Sequence, residues 1–185
     1  DLIAPRERLF AEIEQRHNLT FLLLTKRPEN IMRLTSRWHQ GFPKNVWVGV
    51  TAENQEMLNK RVPILLDVPC VVKFLSCEPL LESINVLPYL YSEYDLASYC
   101  NQMTGLESRE KINWVIVGGE SGDGARPMLV EWVANIWDQC EISQTPFFFK
   151  QWGAWGYDEN MKLTHSTKGK NGREFNGREW NEVSN

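Results

Sequence analysis

The chain has 185 residues, of which 42% are hydrophobic and 24% charged, a composition typical of one globular domain with its own core. No apolar run approaches the roughly 20 residues that a membrane-spanning helix needs, and no leader directs secretion, so the sequence predicts a cytoplasmic protein without a membrane partner. The net charge of −4 argues against a broadly basic surface for nucleic acid but leaves room for a local basic groove.

Short apolar runs of strand length alternate along the chain with patterns of helical period. In chain order, the sequence predicts a helix over residues 5–17, a strand over 20–24, a helix over 28–38, a strand over 46–50, a helix over 54–66, strands over 71–75 and 114–118, a helix over 128–140 and a strand over 146–150. Most of the apolar runs are continuous, as in strands that are buried on both faces of a parallel sheet. This alternation predicts an α/β fold with a parallel sheet.

Two polar regions interrupt or follow this pattern. Residues 82–112 contain a tyrosine-rich stretch, "YLYSEYDLASYC", which we interpret as a helix with loops inserted between two strands. The C-terminal part is polar and glycine-rich, and the pairs Asn171-Gly172 and Asn176-Gly177 are typical of turns in a short hairpin. The predicted domains are a main domain over residues 1–152 and a C-terminal extension over residues 153–185.

The cysteines and histidines do not predict a metal site. No two cysteines stand in a C-x-x-C pair, which argues against a zinc ribbon, and no two histidines have ligand spacing. We expect reduced thiols at the four cysteines, which are Cys70, Cys77, Cys100 and Cys140. Cys77 has no evident histidine partner, so nucleophilic catalysis by a thiol is not predicted either.

Polar and ionisable residues follow every predicted strand. In parallel α/β folds, ligands bind beyond the carboxyl ends of the strands, so these residues are expected to share one edge. The candidate site residues are Lys26 and Arg27 after the first strand, Glu53 and Asn54 after the second, Ser76 and Glu78 after the third, Gly118, Gly119, Glu120, Ser121 and Arg126 at the end of the fourth, and Lys150 and Gln151 at the end of the fifth. Among them, Glu78 and Glu120 are the candidate catalytic residues.

The residue types at this edge suit a ligand that carries both charges or several hydroxyls. Arginine and lysine hold carboxylates and phosphates, whereas glutamate and asparagine suit ribose hydroxyls or an amine. The stretch "VGGESGDGARP" would let backbone N–H groups approach an anion, although it lacks the patterns of the common phosphate-binding and dinucleotide-binding loops. Structural ion pairs remain an alternative for each charged residue, and a plain tight turn remains one for the glycine-rich stretch.

The strand-end motifs together resemble one known family. "LLLTKRPEN", "NVWVGVTAEN", "FLSCEPLL", "WVIVGGESGDGARPM" and "PFFFKQWG" occur in this order in the phage Gp thirty-seven/sixty-eight family, a family of unknown function from phages, prophages and bacteria. The terminal "GREFNGREWNEV" also resembles the usual ending of that family. The resemblance covers about residues 18–185, nearly the whole chain.

The resemblance implies a partial (β/α) barrel, because complete members of that family are similar to radical S-adenosylmethionine proteins. Those members begin with a segment that resembles the C-x-x-x-C-x-x-C loop of a [4Fe–4S] cluster. No such triplet occurs in this chain, so we expect the chain to be the C-terminal portion of a longer protein. S-adenosylmethionine and the cluster are then cofactors of the full-length protein, and no cofactor is assigned to the chain as given.

The resemblance also assigns the strand ends to parts of the ligand. The assignments are Glu53 and Asn54 to the ribose, Lys26 and Arg27 to the methionine carboxylate or a substrate phosphate, Ser76 and Glu78 to the middle of the cavity, and Gly118, Gly119 and Glu120 to a ledge for the adenine or the substrate. These roles follow from strand position within the family's fold.

Three functions remain open from the sequence. The first is an enzyme of the radical S-adenosylmethionine type that acts on nucleic acid or a nucleotide, with the substrate inferred only from the phage context. The second is a barrel hydrolase in which the strand-end glutamates supply the acid and the base or nucleophile, although nearby cations would lower their pKa values. The third is a non-catalytic barrel that binds a nucleotide or nucleic acid through Lys26, Arg27, Arg126 and Lys150. The sequence gives no oligomeric state.

Overall fold

The computed structural model describes residues 2–38, 41–91, 110–166 and 171–184. In this part of the chain, the longer strands are β1 (Phe21–Thr25), β2 (Val46–Thr51), β3 (Val72–Cys77), β4 (Trp114–Gly118) and β5 (Phe147–Gln151). The α-helices of the described residues are α1 (Ile3–Gln15), α2 (Ile31–Leu34), α3 (Gln55–Leu66) and α4 (Val130–Ser143). Short strands follow at β6 (Trp155–Tyr157), β7 (Leu163–His165), β8 (Glu174–Phe175) and β9 (Arg178–Glu179).

Strands β1 to β5 form one parallel sheet in the order in which they occur in the chain. Each predicted strand is present, and its ends differ from the prediction by at most two residues. The mostly apolar runs explain this agreement, and β3 is buried at every position along its length, Lys73 included. An α/β fold with a parallel sheet is therefore confirmed, whereas closure of the sheet into a partial barrel stays a prediction.

The main core lies between one face of the sheet and the helices. Val50, Leu75, Val115 and Phe147 stand side by side across β2 to β5 and are fully buried. The helix residues in the same core are Phe10 and Ile13 of α1, Leu58, Val62 and Leu65 of α3, and Val133 and Ile136 of α4. These residues recur at helical spacing, so each helix presents one apolar stripe to the sheet.

The opposite face of the sheet carries a row of aromatic side chains. The ring centroid of Trp114 lies 6.0 Å from that of Trp47, 5.8 Å from that of Phe74 and 5.9 Å from that of Phe148. A β carbon at Gly49 would lie 2.4 Å from the Phe74 ring, so this ring packs directly across the glycine backbone. Aromatic packing therefore holds β2 to β5 together on the side that the helices leave open.

Residues 28–38 do not form the single helix that their apolar spacing predicts. They form α2, which has only four residues, flanked by two 3₁₀ turns. The Trp38 Nε1 donates to Glu14 Oε1 at 2.7 Å, and the Trp38 ring centroid lies 4.4 Å from that of Phe10. This packing against α1 overrides the weak helix propensity of so short a segment, which makes the prediction of one helix wrong.

Residues 171–184 pack against the outer edge of the sheet. Strands β8 and β9 form a hairpin whose turn, Asn176-Gly177, has positive φ at both residues, as predicted for that pair. The Phe149 N–H donates to the Trp180 carbonyl at 3.0 Å, and both Phe175 and Trp180 are buried in the main core. The apolar residues of the extension thus share a core with the sheet, and the boundary between two domains stays a prediction.

Some sequence predictions fall outside the described residues. The helix expected within the insertion and Cys100 both lie in residues 92–109, which the structure does not describe. At the other predicted turn, Asn171-Gly172, the φ of Gly172 is +67°. Residues 167–170, directly before this turn, are not described, so a hairpin there stays a prediction. In the described ranges, no helix combines the length and the apolar character needed to cross a membrane.

Candidate functional site

The carboxyl ends of the parallel strands bring charged residues to one edge of the sheet. Three ion pairs form there, namely Glu53 with Lys26, Glu78 with Lys150, and Glu120 with Arg126. We call these six residues the strand-end rim. The Glu78 and Lys150 side chains meet although they are 72 positions apart in the chain, so this contact is a product of the parallel topology rather than of local sequence.

Glu53 is held by Arg61, an arginine on α3 that the sequence motifs did not single out. The Arg61 Nη1 donates to Glu53 Oε2 at 2.8 Å and to the carbonyl and hydroxyl oxygens of Thr51, each at 2.9 Å. Arg61 is 8% exposed and the Glu53 side chain 17%, so this network is largely shielded from water. Burial alone would raise the pKa of Glu53, but a backbone hydrogen bond and the Arg61 and Lys26 charges outweigh it and leave the pKa below its usual value.

Asn54 serves as the N-cap of α3. Its Oδ1 accepts a hydrogen bond from the Met57 N–H at 2.9 Å, and the Gln55 N–H donates to Glu82 Oε1 at 2.7 Å. These bonds satisfy two of the N–H groups that the first turn of a helix leaves without a partner. The Asn54 oxygen that the resemblance assigns to a ribose is therefore already occupied within the fold.

Glu78 pairs across the rim with Lys150 of β5. The Lys150 Nζ donates to Glu78 Oε2 at 2.8 Å, and the side chains are 51% and 22% exposed respectively, so the lysine reaches solvent. Gly118 makes room for the carboxylate, because a β carbon there would lie 3.1 Å from Glu78 Oε1. Ser76 is buried within β3.

Glu120 forms a bidentate ion pair with Arg126 within the loop that follows β4. Glu120 Oε2 accepts from the Arg126 backbone N–H at 2.8 Å and from Nε at 2.9 Å, while Oε1 accepts from Nη2 at 2.7 Å. These side-chain and backbone hydrogen bonds lower the pKa of Glu120 to about 2, and the Glu120 carboxylate raises the pKa of Arg126. The carboxylate is therefore ionised at neutral pH and is satisfied by its own loop.

We expect the contribution of Glu120 to stability to depend on pH. Its pKa falls from an ordinary 4.5 to about 2, so the contribution is fully present above pH 4.5 and is lost as the pH falls towards 2. The difference in Tm between the wild type and Glu120→Gln should therefore shrink across this window in thermal melts. A difference that stayed constant over the window would contradict an ion pair that persists in solution.

The chain after β4 crosses closely over the chain after β5. A β carbon at Gly119 would lie 1.9 Å from the Trp152 carbonyl oxygen, and one at Gly153, where φ is +83°, would lie 2.2 Å from the Glu120 carbonyl oxygen. The Gly119 N–H donates to the Gln151 carbonyl at 2.9 Å. Both positions therefore require glycine, and the Gly119 N–H that was expected to form a ledge for a ligand is used within the fold.

Arg27 is a predicted site residue that lies away from the rim. Lys26 follows β1 directly and reaches the rim, whereas Arg27 lines a separate cavity beside α1. Consecutive residues of an extended chain point to opposite faces, which explains why these two neighbours separate. Ser121 and Gln151 lie beside the rim and bond to each other, with Gln151 Nε2 donating to Ser121 Oγ at 3.1 Å.

The described residues do not fit an iron–sulfur cluster. Within the described ranges, no three His, Cys, Asp or Glu side chains come together in a group that could hold a metal ion. Cys70, Cys77 and Cys140 are free, buried thiols, as expected for reduced cysteines. Burial raises the pKa values of the Cys77 and Cys140 thiols far above their usual range, which keeps both protonated and unsuited to act as nucleophiles or metal ligands.

Comparison with known proteins gives a family but no activity. A family model described as "Protein of unknown function (DUF5131)" matches residues 3–184. No curated protein and no solved structure matches the chain. The family match spans both the parallel sheet and the C-terminal extension. Because the description of the family gives no function, the chemistry of the rim rests on its own residues.

Proposed function

The chain belongs to the DUF5131 family of proteins of unknown function, and from its strand-end rim we propose that it binds a zwitterionic nucleoside such as S-adenosylmethionine. The observation that carries the proposal is the Glu78–Lys150 pair, in which a carboxylate and a half-exposed ammonium are 2.8 Å apart at the carboxyl ends of parallel strands. A ligand with an ammonium and a carboxylate on one carbon can exchange partners with such a pair, each ligand charge replacing one protein charge.

The Lys26–Glu53 pair supports the same class of ligand. The Lys26 Nζ lies 4.0 Å from Glu53 Oε1, which is too long for a hydrogen bond. The Lys26 ammonium can therefore hold an acidic group of the ligand, and Glu53 Oε1 can accept from a hydroxyl. Glu120 and Arg126 satisfy each other with three hydrogen bonds, so we assign them to positioning the loop rather than to contact with the ligand.

We further propose that the sheet is the C-terminal wall of a partial (β/α) barrel of the radical S-adenosylmethionine type. The sequential order of β1 to β5, with the rim at their carboxyl ends, supports this proposal. On this proposal, the cluster is supplied by another part of a full-length protein. We propose nucleic acid or a nucleotide as the substrate, on the phage context of the family that the motifs resemble.

A non-catalytic barrel that binds a nucleotide or nucleic acid is the second candidate. The side chains of Lys26, Arg126 and Lys150 are each more than half exposed at one edge, an arrangement to which phosphates bind with a strong dependence on salt. A hydrolase that uses the rim glutamates has less support. Glu53 and Glu120 both have lowered pKa values, so neither holds a proton at neutral pH for use as a general acid.

Calorimetric titration of the 185-residue chain with S-adenosylmethionine, S-adenosylhomocysteine, AMP and a short single-stranded oligonucleotide tests the proposal. We expect the first two ligands to bind, and AMP to bind about tenfold more weakly or worse because it lacks the zwitterion. Lys150→Met should weaken binding of S-adenosylhomocysteine by about tenfold or more, since one charge-assisted hydrogen bond contributes about 1.5–3 kcal/mol. Glu78→Gln should also weaken the binding of S-adenosylhomocysteine.

Lys44→Met is the matched control for these variants. Lys44 is an exposed lysine just before β2, at the opposite edge of the sheet, so its loss should leave binding unchanged. S-adenosylhomocysteine that bound Lys150→Met as tightly as the wild type would disprove the proposed site. Binding of AMP and the oligonucleotide that falls steeply with salt, without binding of S-adenosylhomocysteine, would support the second candidate.

A further inference from the structure

We infer that the chain has a second ligand site, an apolar cavity walled by arginines that binds a small organic anion with an apolar body. The cavity has a volume of about 420 Å³ and is bounded by residues of α1, β1, β2 and the segment around α2. Its size is in the range of small-molecule sites in proteins. We call it the arginine pocket, because Arg6, Arg27 and Arg33 contribute to its wall.

The charge of the arginine pocket is one-sided. No aspartate or glutamate is among the described residues that line it, although the chain as a whole has a net charge of −4. At the strand-end rim, by contrast, Arg126 and Lys150 each donate hydrogen bonds to a carboxylate. Three arginines without acidic neighbours in the wall produce a local positive potential, which an anion would neutralise.

The hydrogen bonds of the three arginines leave donors available. The Arg33 Nη2 donates to Asn30 Oδ1 at 2.9 Å, which is a neutral acceptor. The Arg6 Nε is buried without a hydrogen-bond partner and lies 3.9 Å from Glu7 Oε1. In the part of the chain that the structure describes, the Arg27 guanidinium makes no ion pair, so a planar carboxylate or phosphate finds several unused N–H groups here.

Nearby carboxylates are engaged elsewhere. Glu7 and Glu14 of α1 both bind Arg37, at 3.0 and 2.8 Å respectively. Glu14 also accepts from the Trp38 Nε1 at 2.7 Å. Glu7 and Glu14 thus direct their hydrogen bonds to Arg37 and Trp38, and the contact of Glu7 with Arg6, at 3.9 Å, is too long for a hydrogen bond.

The interior of the arginine pocket requires more than a bare anion. Its floor is formed by apolar side chains of the main core, namely Phe10, Leu23, Ile31, Phe42 and Val48. An inorganic ion would leave this floor wet, whereas a ligand with an apolar body removes it from water. The site therefore suits an aryl or alkyl carboxylate or phosphate monoester, with its acidic group among the arginines.

Titration with four matched probes tests this inference. We expect 1-naphthyl phosphate and 1-naphthoate to bind the 185-residue chain, because each combines an apolar ring with an anion. The neutral 1-naphthol has the ring without the anion, and inorganic phosphate has the anion without the ring. Each should bind at least about tenfold more weakly, a difference of about 1.4 kcal/mol. The two naphthyl anions also distinguish a phosphate site from a carboxylate site.

Variants of the exposed arginines locate the binding. Arg27→Met and Arg33→Met should each weaken binding of 1-naphthyl phosphate by about tenfold, with an unchanged Tm as the check on folding. Arg16→Met is the matched control. Arg16 lies just after the C-terminal end of α1, is not among the residues that line the pocket, and pairs with Glu12. Lys150→Met, a variant of the rim, should also leave this binding unchanged, which separates this site from the proposed function.

Three results would overturn the inference. The first is that the wild type binds 1-naphthyl phosphate no more tightly than 1-naphthol, which includes the case that it does not bind 1-naphthyl phosphate. The second is that the affinity for 1-naphthyl phosphate is unchanged in both Arg27→Met and Arg33→Met. The third is tighter binding of a short polyglutamate than of either naphthyl anion, because the arginines would then form a surface for an acidic protein segment.

Discussion

Arg61→Met is expected to lower the free energy of unfolding by about 3 kcal/mol, because it removes one partner of a shielded ion pair and leaves the other behind. The Arg61 Nη1 holds Glu53 Oε2 at 2.8 Å and donates to both oxygens of Thr51. Without it, Lys26, at 4.0 Å, is the cation that remains near Glu53 among the described residues. Loss of a buried partner costs about 3–5 kcal/mol, and we expect the lower end because the Glu53 side chain retains 17% exposure.

Chemical denaturation of two further variants shows whether burial is the cause. The double variant Arg61→Met with Glu53→Met should recover most of the loss, since no unpaired charge remains. Arg16→Met is the matched control, because Arg16 Nε lies 2.6 Å from Glu12 Oε2 in an exposed pair and its removal should have a much smaller effect. Equal losses in Arg61→Met and Arg16→Met would refute the role given to burial.

Gly119→Ala is expected to destabilise the protein by about 3 kcal/mol, the upper end for overpacking. The added methyl group would lie 1.9 Å from the Trp152 carbonyl oxygen, which is backbone and cannot rotate away. Relief requires the chain after β4 and the chain after β5 to move apart, and this movement would lengthen the hydrogen bond between the Gly119 N–H and the Gln151 carbonyl. The measurement is the free energy of unfolding in denaturant.

Gly118→Ala is the adjacent comparison for this substitution. Its methyl group would meet the Glu78 carboxylate at 3.1 Å, the far end of a flexible side chain, so the loss should be below about 1 kcal/mol. Binding at the rim should nevertheless weaken, because Glu78 has to shift. If both alanine variants lost the same stability, the close backbone crossing at Gly119 would not be the cause.

The strands could be predicted because their sequence signal is local. Each of the five runs is mostly apolar, with Lys73 inside the third and Lys150 at the end of the fifth, and the structure shifts their ends only slightly. The segment over residues 28–38 failed because its conformation depends on Trp38, whose partners Glu14 and Phe10 are distant in the sequence. Local periodicity carries no information about such contacts.

The composition of the rim could be predicted, but its pairing could not. Parallel topology alone brings Glu78 and Lys150 to one edge, whereas the choice of Lys150 over Lys26 or Arg27 as its partner depends on side-chain geometry. The sequence motifs did not predict Arg61, because the predicted site residues stand at strand ends and this residue lies on α3. An arginine among the apolar positions of α3 was the available signal.

The sequential pairing of the strands has a consequence for how the protein is made. Because each strand pairs with the one before it, every new strand finds its partner already synthesised as it leaves the ribosome. The growing edge of the sheet is therefore always the most recent strand, while β1 stays at the other edge. β5 is covered only when Trp180 reaches the Phe149 N–H, so synthesis of residues 171–184 protects this edge from pairing with other chains.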